Sequence, residues 1–224
     1  MKNKDFFKNI KVVGFDFDDT LVDEQYSIKK RWQRVLKSYS FLSPNLEKMF
    51  FKIYKKKRPL YKFHIDDTLH KLKIDRKITK EIVSKFLETR DDELLFEGSL
   101  NILKLLKSKD IISGIITDGK KLYQKERIKK AGIYQFMNFI YYGDGNKEKK
   151  PNKEVLKMLK KYFKSFAIKF PEQFLYIGND FINDIKSMSS IGVKTCWVTK
   201  EKLVSQIPKS IKVKNLKELL KYFK

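Results

Sequence analysis

One short stretch, KVVGFDFDDTL over residues 11–21, limits the folds open to this chain more than any other. Its β-branched and aromatic residues predict a buried strand. Three carboxylates, those of Asp16, Asp18 and Asp19, follow at and just past the end of that strand. Burying acids side by side costs free energy, because like charges repel and lose their hydration. The stretch therefore predicts either a site where the acids meet a cation or a substrate, or an acidic turn whose aspartates cap the backbone.

From residue 96 onward, strand-like and helix-like segments alternate. The strand-like runs are residues 111–116, 139–142, 174–177, 194–198 and 211–213. Ser99 is the expected N-cap of the first helix in this region, and Gly132 is the expected C-cap of the second. Repeated β-α units predict an α/β fold with a Rossmann-like, doubly wound parallel sheet and helices on both faces.

Residues 22–93 have a different character, with no glycine and with apolar residues at helical spacing. Trp32, Val35, Leu36 and Tyr39 form one such series. Pro44 suits the first turn of a helix. We expect a small all-helical cap domain of about four helices, inserted after the first strand. The expected domains are thus a catalytic core, residues 1–21 and 94–224, and a helical cap, residues 22–93.

The composition excludes several classes of protein. The 42% hydrophobic content supports a sizeable core, and the single cysteine, Cys196, excludes an internal disulfide and a cysteine-based zinc site. There is no signal-peptide pattern and no apolar run of membrane-spanning length. The expectation is a soluble cytoplasmic protein without a membrane partner.

The formal net charge of +24 raises the question of nucleic-acid binding. Only six of the 51 basic residues are arginine, and the lysines are scattered through every segment. Because arginine reads phosphates and bases better than lysine, this pattern disfavours nucleic-acid binding as the main role. It favours a general attraction for anionic substrates. The sequence leaves the oligomeric state open.

Polar residues follow four of the predicted strands, at the edge where parallel strands place their carboxyl ends. They are Asp16, Asp18, Thr117, Lys150, Asp180 and Asp184. A carboxylate can attack phosphorus, and a second one can move protons. A hydroxyl and an ammonium can stabilise charge on phosphoryl oxygens. Further acids suit Mg²⁺, which prefers oxygen ligands.

Four segments in this order, DFDDTL, IITDG, KKPN and IGNDFINDI, resemble the four motifs of the haloacid dehalogenase-like (HAD) superfamily. The resemblance covers the whole chain and is greatest to members with a helical (C1-type) cap after the first motif. It implies that Asp16 is the nucleophile and also binds Mg²⁺. It further implies that Asp18 is the general acid and base, with its backbone carbonyl on the metal. The dehalogenases of this superfamily lack an acid at the position of Asp18, so its presence favours a phosphatase.

The other motifs supply the remaining implied roles. Thr117 would bind the phosphoryl group, with help from the turn formed by Asp118 and Gly119. Lys150, which directly precedes the proline, would neutralise Asp16 and the phosphate.

The fourth motif departs from the commoner pattern, in which aspartate follows the glycine directly. Here Asn179 stands at that position and Asp180 follows. The resemblance implies a metal site completed by Asp180 and Asp184. We favour Asp180 as the ligand, with the neutral carbonyl oxygen of Asn179 as the alternative.

Each candidate also has a purely structural interpretation. Thr117–Gly119 can be a simple turn, Lys150 a solvated lysine and Asp184 a surface acid. Outside the motifs, structural roles are preferred for a set of further residues: His64 and His70 at the surface; Trp32, Tyr39, Phe50 and Tyr54 in a core; the basic run 55–58 on a solvated face; and Cys196 in a buried strand.

Taken together, the motifs predict a Mg²⁺-dependent phosphatase. Its expected substrate is a small phosphorylated metabolite, either a sugar phosphate or a nucleoside monophosphate. The cap is expected to close over the site and contact the substrate. Two alternatives remain at this point: a phosphomutase of the same superfamily, and a basic nucleic-acid-binding protein on an inactive scaffold.

Overall fold

A parallel sheet of six strands organises the chain. The computed structural model describes residues 3–39, 46–57, 65–89, 93–143, 150–201 and 209–223. The strands are β1 (Val12–Phe15), β2 (Ile112–Thr117), β3 (Phe139–Tyr142), β4 (Phe174–Gly178), β5 (Lys194–Val198) and β6 (Ser210–Val213). Their order is β3-β2-β1-β4-β5-β6, and every neighbouring pair is parallel. The predicted Rossmann-like α/β fold is confirmed. The strand order reverses beside β1, which is where such sheets bind ligands.

Nine α-helices accompany these strands in the described part of the chain. They are α1 (Asn3–Phe7), α2 (Glu24–Leu36), α3 (Leu46–Lys57), α4 (Ile65–Lys71), α5 (Arg76–Glu88), α6 (Ser99–Ser108), α7 (Lys121–Lys130), α8 (Lys153–Ser165) and α9 (Ser187–Ser190). A π-helical turn, Phe181–Lys186, precedes α9, and 3₁₀ segments cover Tyr134–Phe136 and Leu216–Tyr222. Within the described ranges no helix has the length and apolarity needed to cross a membrane.

The two faces of the sheet carry separate apolar cores, because successive strand residues point to opposite sides. Val13 and Phe15 belong to one core, together with residues of α6 and α7. Val12 belongs to the other, which contains residues of α8 and α9. Helices therefore cover both faces, and the strand ends are left to carry the polar side chains.

The chain divides into two compact units, Met1–Glu24 with Glu93–Lys224, and Gln25–Asp92. The junctions lie slightly inside the expected insert, residues 22–93. Val22 bridges to Leu95, and the Asp23 backbone N–H donates to the Leu94 carbonyl at 2.8 Å. These bonds place residues 22–24 with the sheet, although their sequence gives no strand signal.

The second unit contains α2–α5 around its own apolar core. The rings of Trp32 and Phe50 stack with centroids 3.8 Å apart, and Tyr39 is buried in the same cluster. The interpretation of these aromatic residues as core is confirmed, as is that of Cys196. His70 is exposed, as expected. The interpretations of Pro44, His64, the Tyr54 side chain and the side chains of residues 55–58 lie outside what the structure describes.

The start of α6 corrects one prediction. Gly98, not Ser99, is the N-cap, and its φ of 92° lies in the left-handed region that favours glycine. A Cβ at Gly98 would also lie 2.4 Å from the backbone nitrogen of Lys217. The hydroxyl of Ser99 is buried and donates to the Leu21 carbonyl at 2.8 Å. Ser99 thus fixes the chain that leaves the first motif.

Candidate active site

Asp16 directly follows β1, and its carboxylate lies against the ammonium of Lys150. The backbone N–H of Asp16 donates to the Ile177 carbonyl at 2.9 Å, so the residue continues the sheet. Lys150 is only 3% exposed and donates from Nζ to Oδ1 of Asp16. The same ammonium lies 2.9 Å from Oδ1 of Asp184 and donates to the Ile116 carbonyl at 3.1 Å. Three acceptors thus surround its three protons.

The charge of Lys150 is set by these neighbours. Burial alone would lower the pKa of the ammonium, but the carboxylates of Asp16 and Asp184 raise it well above its ordinary value. Lys150 therefore carries a permanent positive charge beside Asp16. A solvated surface lysine, the alternative interpretation, is excluded.

Asp184 reaches this cluster from the π-helical turn after β4. It is 1% exposed, and its Oδ2 accepts a hydrogen bond from the Asp180 backbone N–H at 2.9 Å. The approach depends on Gly178, because a Cβ there would lie 2.4 Å from Oδ2 of Asp184. The hydroxyl of Tyr176 lies 3.4 Å from the other carboxylate oxygen. Asp184 is thus a buried partner of Lys150 and not a surface acid.

The carboxylate of Asp180 caps the same turn. Its Oδ1 accepts from the backbone N–H groups of Ile182 and Asn183, both at 2.9 Å, and its Oδ2 accepts from the Asn183 amide at 2.6 Å. Burial opposes ionisation of Asp180, but the hydrogen bonds from Asn183 and Ile182 lower its pKa below the ordinary value. Both carboxylate oxygens of Asp180, the residue favoured as a metal ligand, are therefore hydrogen-bonded to residues at the start of the π-helical turn.

Asn179 lies beside Asp16 through a shared neighbour. The Thr20 hydroxyl oxygen is 3.3 Å from Oδ1 of Asn179 and 3.5 Å from Oδ2 of Asp16. The indole N–H of Trp197 on β5 donates to the backbone carbonyl of Asn179 at 3.0 Å, which fixes the backbone there. The amide oxygen of Asn179 and the second oxygen of Asp16 thus border one hydroxyl.

These oxygens fit the Mg²⁺ site that the resemblance implies. Among the described residues, no three His, Cys, Asp or Glu side chains cluster as a metal site on their own. The arrangement instead offers one carboxylate, Asp16, and one neutral amide oxygen, Asn179. Mg²⁺ commonly binds one or two carboxylates and keeps several waters. Such a sparse set of oxygen donors suits this cation.

The second motif lies next to the lysine. The hydroxyl oxygen of Thr117 accepts from the Gly119 backbone N–H at 3.2 Å and from Nε2 of Gln124 at 2.9 Å. With two N–H groups donating to this oxygen, the hydroxyl proton is the group that Thr117 can offer to a ligand. Asp118 accepts from the Lys150 backbone N–H at 3.1 Å, which joins the second motif to the third.

Asp18 is held by two residues that the sequence did not single out. Its Oδ1 accepts from Arg127 at 2.6 Å, and its Oδ2 accepts from Gln124 at 2.7 Å. Arg127 in turn forms two hydrogen bonds to Glu93, at 2.7 and 2.9 Å. Gln124 and Arg127 lie three residues apart on α7, a spacing that puts them on one face. This spacing, and an arginine in a lysine-rich chain, were the available signals.

Comparison with known families decides the assignment. A model of the haloacid dehalogenase-like hydrolase family matches residues 13–198. The chain belongs to this family. The predicted membership is confirmed, and the protein is an enzyme of the hydrolase type.

Relatives and solved structures agree with this membership. A glyceraldehyde 3-phosphate phosphatase of Pyrococcus furiosus is 26% identical over 201 residues, which cover 85% of this chain and 81% of that protein. The protein of the same name from Methanocaldococcus jannaschii is 26% identical over 201 residues, covering 86% of each. The structure of YfnB from Bacillus subtilis, described as bound to magnesium, has a TM-score of 0.70 at 20% identity and covers 96% of this chain and 99% of its own. It shares the fold of this HAD-like chain.

Proposed function

We propose that this HAD-like hydrolase is a Mg²⁺-dependent phosphatase that acts through Asp16 on a small phosphorylated metabolite. One observation carries the proposal: the Asp16 carboxylate lies against the buried ammonium of Lys150, at the carboxyl end of β1. A carboxylate fixed in this way is positioned to attack phosphorus. The neighbouring cation stabilises negative charge on the phosphoryl oxygens.

The other side chains have matching roles in the proposed reaction. Asp16 attacks phosphorus while the ester P–O bond breaks, and Asp18 donates a proton to the leaving oxygen. Asp18 then accepts a proton from the water that hydrolyses the aspartyl phosphate. Thr117 donates its hydroxyl proton to a phosphoryl oxygen, and Lys150 neutralises the charge that gathers there.

Asp16 and Asn179 would hold the Mg²⁺, together with the Asp18 carbonyl that the family resemblance implies. When bound, the cation would supply positive charge that stabilises the phosphoryl oxygens. The buried ammonium of Lys150 faces two carboxylates, those of Asp16 and Asp184, so this group of side chains has more negative than positive charge. Its excess of negative charge supports the binding of a divalent cation.

We assign the substrate to the sugar phosphates, with glyceraldehyde 3-phosphate as the first compound to test. Several relatives carry the name glyceraldehyde 3-phosphate phosphatase, among them the proteins from Pyrococcus and Methanocaldococcus. The net charge of +24 supports an anionic substrate, since it raises the local concentration of anions. Nucleoside monophosphates form the second group of the panel.

The test is phosphate release from this panel with Mg²⁺ and with a chelator, by the wild type and the Asp16→Asn variant. We expect release with Mg²⁺ and a loss on the order of 10⁴-fold or more in Asp16→Asn. Asp19→Asn is the matched control, because it makes the same substitution at a nearby acid. The carboxylate of Asp19 accepts from the Glu24 backbone N–H at the start of α2.

Three results would contradict the proposal. Undiminished turnover by Asp16→Asn would remove the nucleophile. Isomerised sugar phosphate without released phosphate would indicate a phosphomutase. Salt-dependent nucleic-acid binding without any turnover would indicate a binding protein on an inactive scaffold.

A further inference from the structure

Helix α7 carries two buried polar side chains among exposed, mostly basic ones. Gln124 is 3% exposed and Arg127 is 7% exposed, whereas Lys121, Lys125, Lys129 and Lys130 of the same helix are exposed. Burying an amide and a guanidinium costs free energy unless both are hydrogen-bonded. The partners of these two side chains are therefore informative.

Their partners include both oxygens of one carboxylate, that of Asp18. Arg127 donates to one oxygen at 2.6 Å, and Gln124 donates to the other at 2.7 Å. The two side chains also join each other, since Arg127 donates to Oε1 of Gln124 at 2.9 Å. Two donors on one face of α7 thus fix both the position and the rotation of the Asp18 carboxylate.

The orientation of Arg127 is fixed in turn by its other contacts. Glu93, on the chain that returns from the helical unit, accepts two hydrogen bonds from the guanidinium. The guanidinium also lies over the ring of Phe17, 5.1 Å from its centroid. A bidentate pair of this kind holds a plane, not only a charge.

Gln124 connects the same network to the phosphate-binding motif. Its Nε2 donates to the Thr117 hydroxyl oxygen at 2.9 Å as well as to Asp18. The side chain that fixes the acid therefore also fixes the hydroxyl proposed to bind the phosphoryl group. The Arg127–Glu93 ion pair does not need Gln124 to bond Asp18 or Thr117, so pairing of charges alone does not account for these two hydrogen bonds.

We infer that Arg127 and Gln124 are positioning residues that hold the Asp18 carboxylate at the leaving oxygen of the substrate, with Glu93 orienting Arg127. The inference rests on the proposed phosphatase function and deepens it. In the step concerned, a bond forms from an Asp16 oxygen to phosphorus, the ester P–O bond breaks, and the leaving oxygen receives its proton from Asp18. A poorly positioned acid slows this step in proportion to how much the leaving group needs a proton.

Two substrates that differ in how much the leaving group needs a proton can test the role of Asp18. Glyceraldehyde 3-phosphate is an alkyl ester whose leaving alkoxide requires protonation, whereas p-nitrophenyl phosphate releases a phenolate that leaves without it. Comparing kcat/KM for the two esters reports the step that expels the leaving group, apart from the later hydrolysis of the aspartyl phosphate.

The main variant is Arg127→Gln, and Lys129→Gln is its matched control. Both remove one positive charge from α7, and Lys129 is an exposed residue that pairs with Glu126 at the surface. We expect kcat/KM of Arg127→Gln to fall roughly 10²-fold for the alkyl ester and by a far smaller factor for the aryl ester. Lys129→Gln should leave both values unchanged.

Two further variants keep the test decisive if Arg127→Gln folds poorly. Gln124→Met fills the same space without hydrogen bonds to Asp18 or Thr117, and it should show the same preference for the aryl ester. Arg127→Lys keeps the charge but not the fork, so its alkyl-ester activity should be intermediate.

The outcomes distinguish failure of the positioning role from failure of the proposed phosphatase function. Equal losses for both esters, or no loss for either, in folded variants of an active wild type would overturn the positioning role and leave the phosphatase in place. A wild type that releases phosphate from neither ester would overturn the proposed function together with this inference.

Discussion

At the scale of single residues, Asn179 and Asp180 are neighbours with separate tasks. Asp180 accepts three hydrogen bonds at the start of the π-helical turn, whereas Asn179 directs its amide oxygen to the hydroxyl that also borders Asp16. The sequence favoured Asp180 because it lies four residues before Asp184, a spacing that puts both on one helix face, and because a neutral Asn179 would give the site less charge. The geometry supports Asn179, since a carboxylate used as a cap has its oxygens already engaged.

This division predicts different effects of substitution at the two positions. Asn179→Ala should raise the Mg²⁺ concentration needed for half-maximal phosphate release by roughly tenfold or more, because a ligand oxygen is lost. Asp180→Ser keeps a capping oxygen and should leave that concentration nearly unchanged. Phosphate release at increasing Mg²⁺ checks both values, and calorimetric titration with Mg²⁺ measures the change in affinity independently of turnover. A large loss of Mg²⁺ affinity in Asp180→Ser alone would restore Asp180 as the ligand.

Lys150 yields a prediction about stability, because it is the cation shared by two buried carboxylates. Lys150→Met would remove the ammonium that the buried carboxylates of Asp16 and Asp184 share, and breaking a buried ion pair in this way typically costs about 3–5 kcal/mol. At about 2–4 °C for each kcal/mol, the melting temperature should fall by roughly 10 °C. Adding Asp16→Asn should recover part of this loss, since one of the two buried negative charges disappears. A double variant less stable than Lys150→Met would contradict the explanation.

The same pair has a defined pH range. Since the pKa of Lys150 is raised on folding, its contribution is fully present below the ordinary lysine pKa of about 10.4 and is lost as pH rises through the higher folded value. The difference in melting temperature between wild type and Lys150→Met should therefore stay constant between about pH 7 and 9. Thermal melts across this range check the sign. A difference that shrinks within it would mean that the lysine is not held charged by its neighbours.

At the scale of elements, the sequence predicted most of what depends on local pattern. The apolar runs placed β2 to β5 within a residue or two, because strands of a parallel sheet with helices on both faces have a near-continuous apolar signal. The helical unit, Gln25–Asp92, begins three residues later than the expected insert. Val22 and Asp23 join the sheet instead, through backbone bonds that need no particular side chain. Gln124 and Arg127 were missed because their partners lie far away along the chain.

A pair of glycines on two adjacent strands leads to a prediction about stability. Gly14 of β1 and Gly114 of β2 are register partners. A Cβ on Gly114 would lie 2.4–2.5 Å from three outer ring atoms of Phe139. Gly114→Ala should therefore destabilise the fold by about 1–3 kcal/mol, as overpacking of a core usually does. Chemical denaturation measures the change in the free energy of unfolding.

Phe139→Leu provides the control for that prediction, because leucine lacks the ring atoms that the new methyl group would meet. The double variant Gly114→Ala with Phe139→Leu should be less destabilised than the sum of the two single variants. Strictly additive losses would show that the glycine is needed for its backbone conformation and not for the space it leaves.

At the scale of the whole molecule, the formal net charge of +24 acts on stability and on ligand binding together. Scattered lysines repel one another in the compact state, and the repulsion reaches about 30 Å at 0.01 M salt but only about 8 Å at 0.15 M. The melting temperature should therefore rise with sodium chloride over this range. A flat or falling curve would mean that favourable pairs outweigh the repulsion.

Phosphate should raise the melting temperature beyond chloride at equal ionic strength, because a ligand that binds only the folded state adds RT ln(1 + [L]/Kd) to the free energy of unfolding. The extra shift should require the Thr117 hydroxyl, which the Gly119 and Gln124 N–H groups leave free to donate its proton. Thr117→Val removes that proton at nearly constant shape, so it should abolish most of the phosphate-specific shift while keeping the response to chloride. Thermal melts of both proteins in matched salts measure the two responses separately. An equal phosphate shift in wild type and Thr117→Val would place the anion on the lysine-rich surface and not at the ends of β1 and β2.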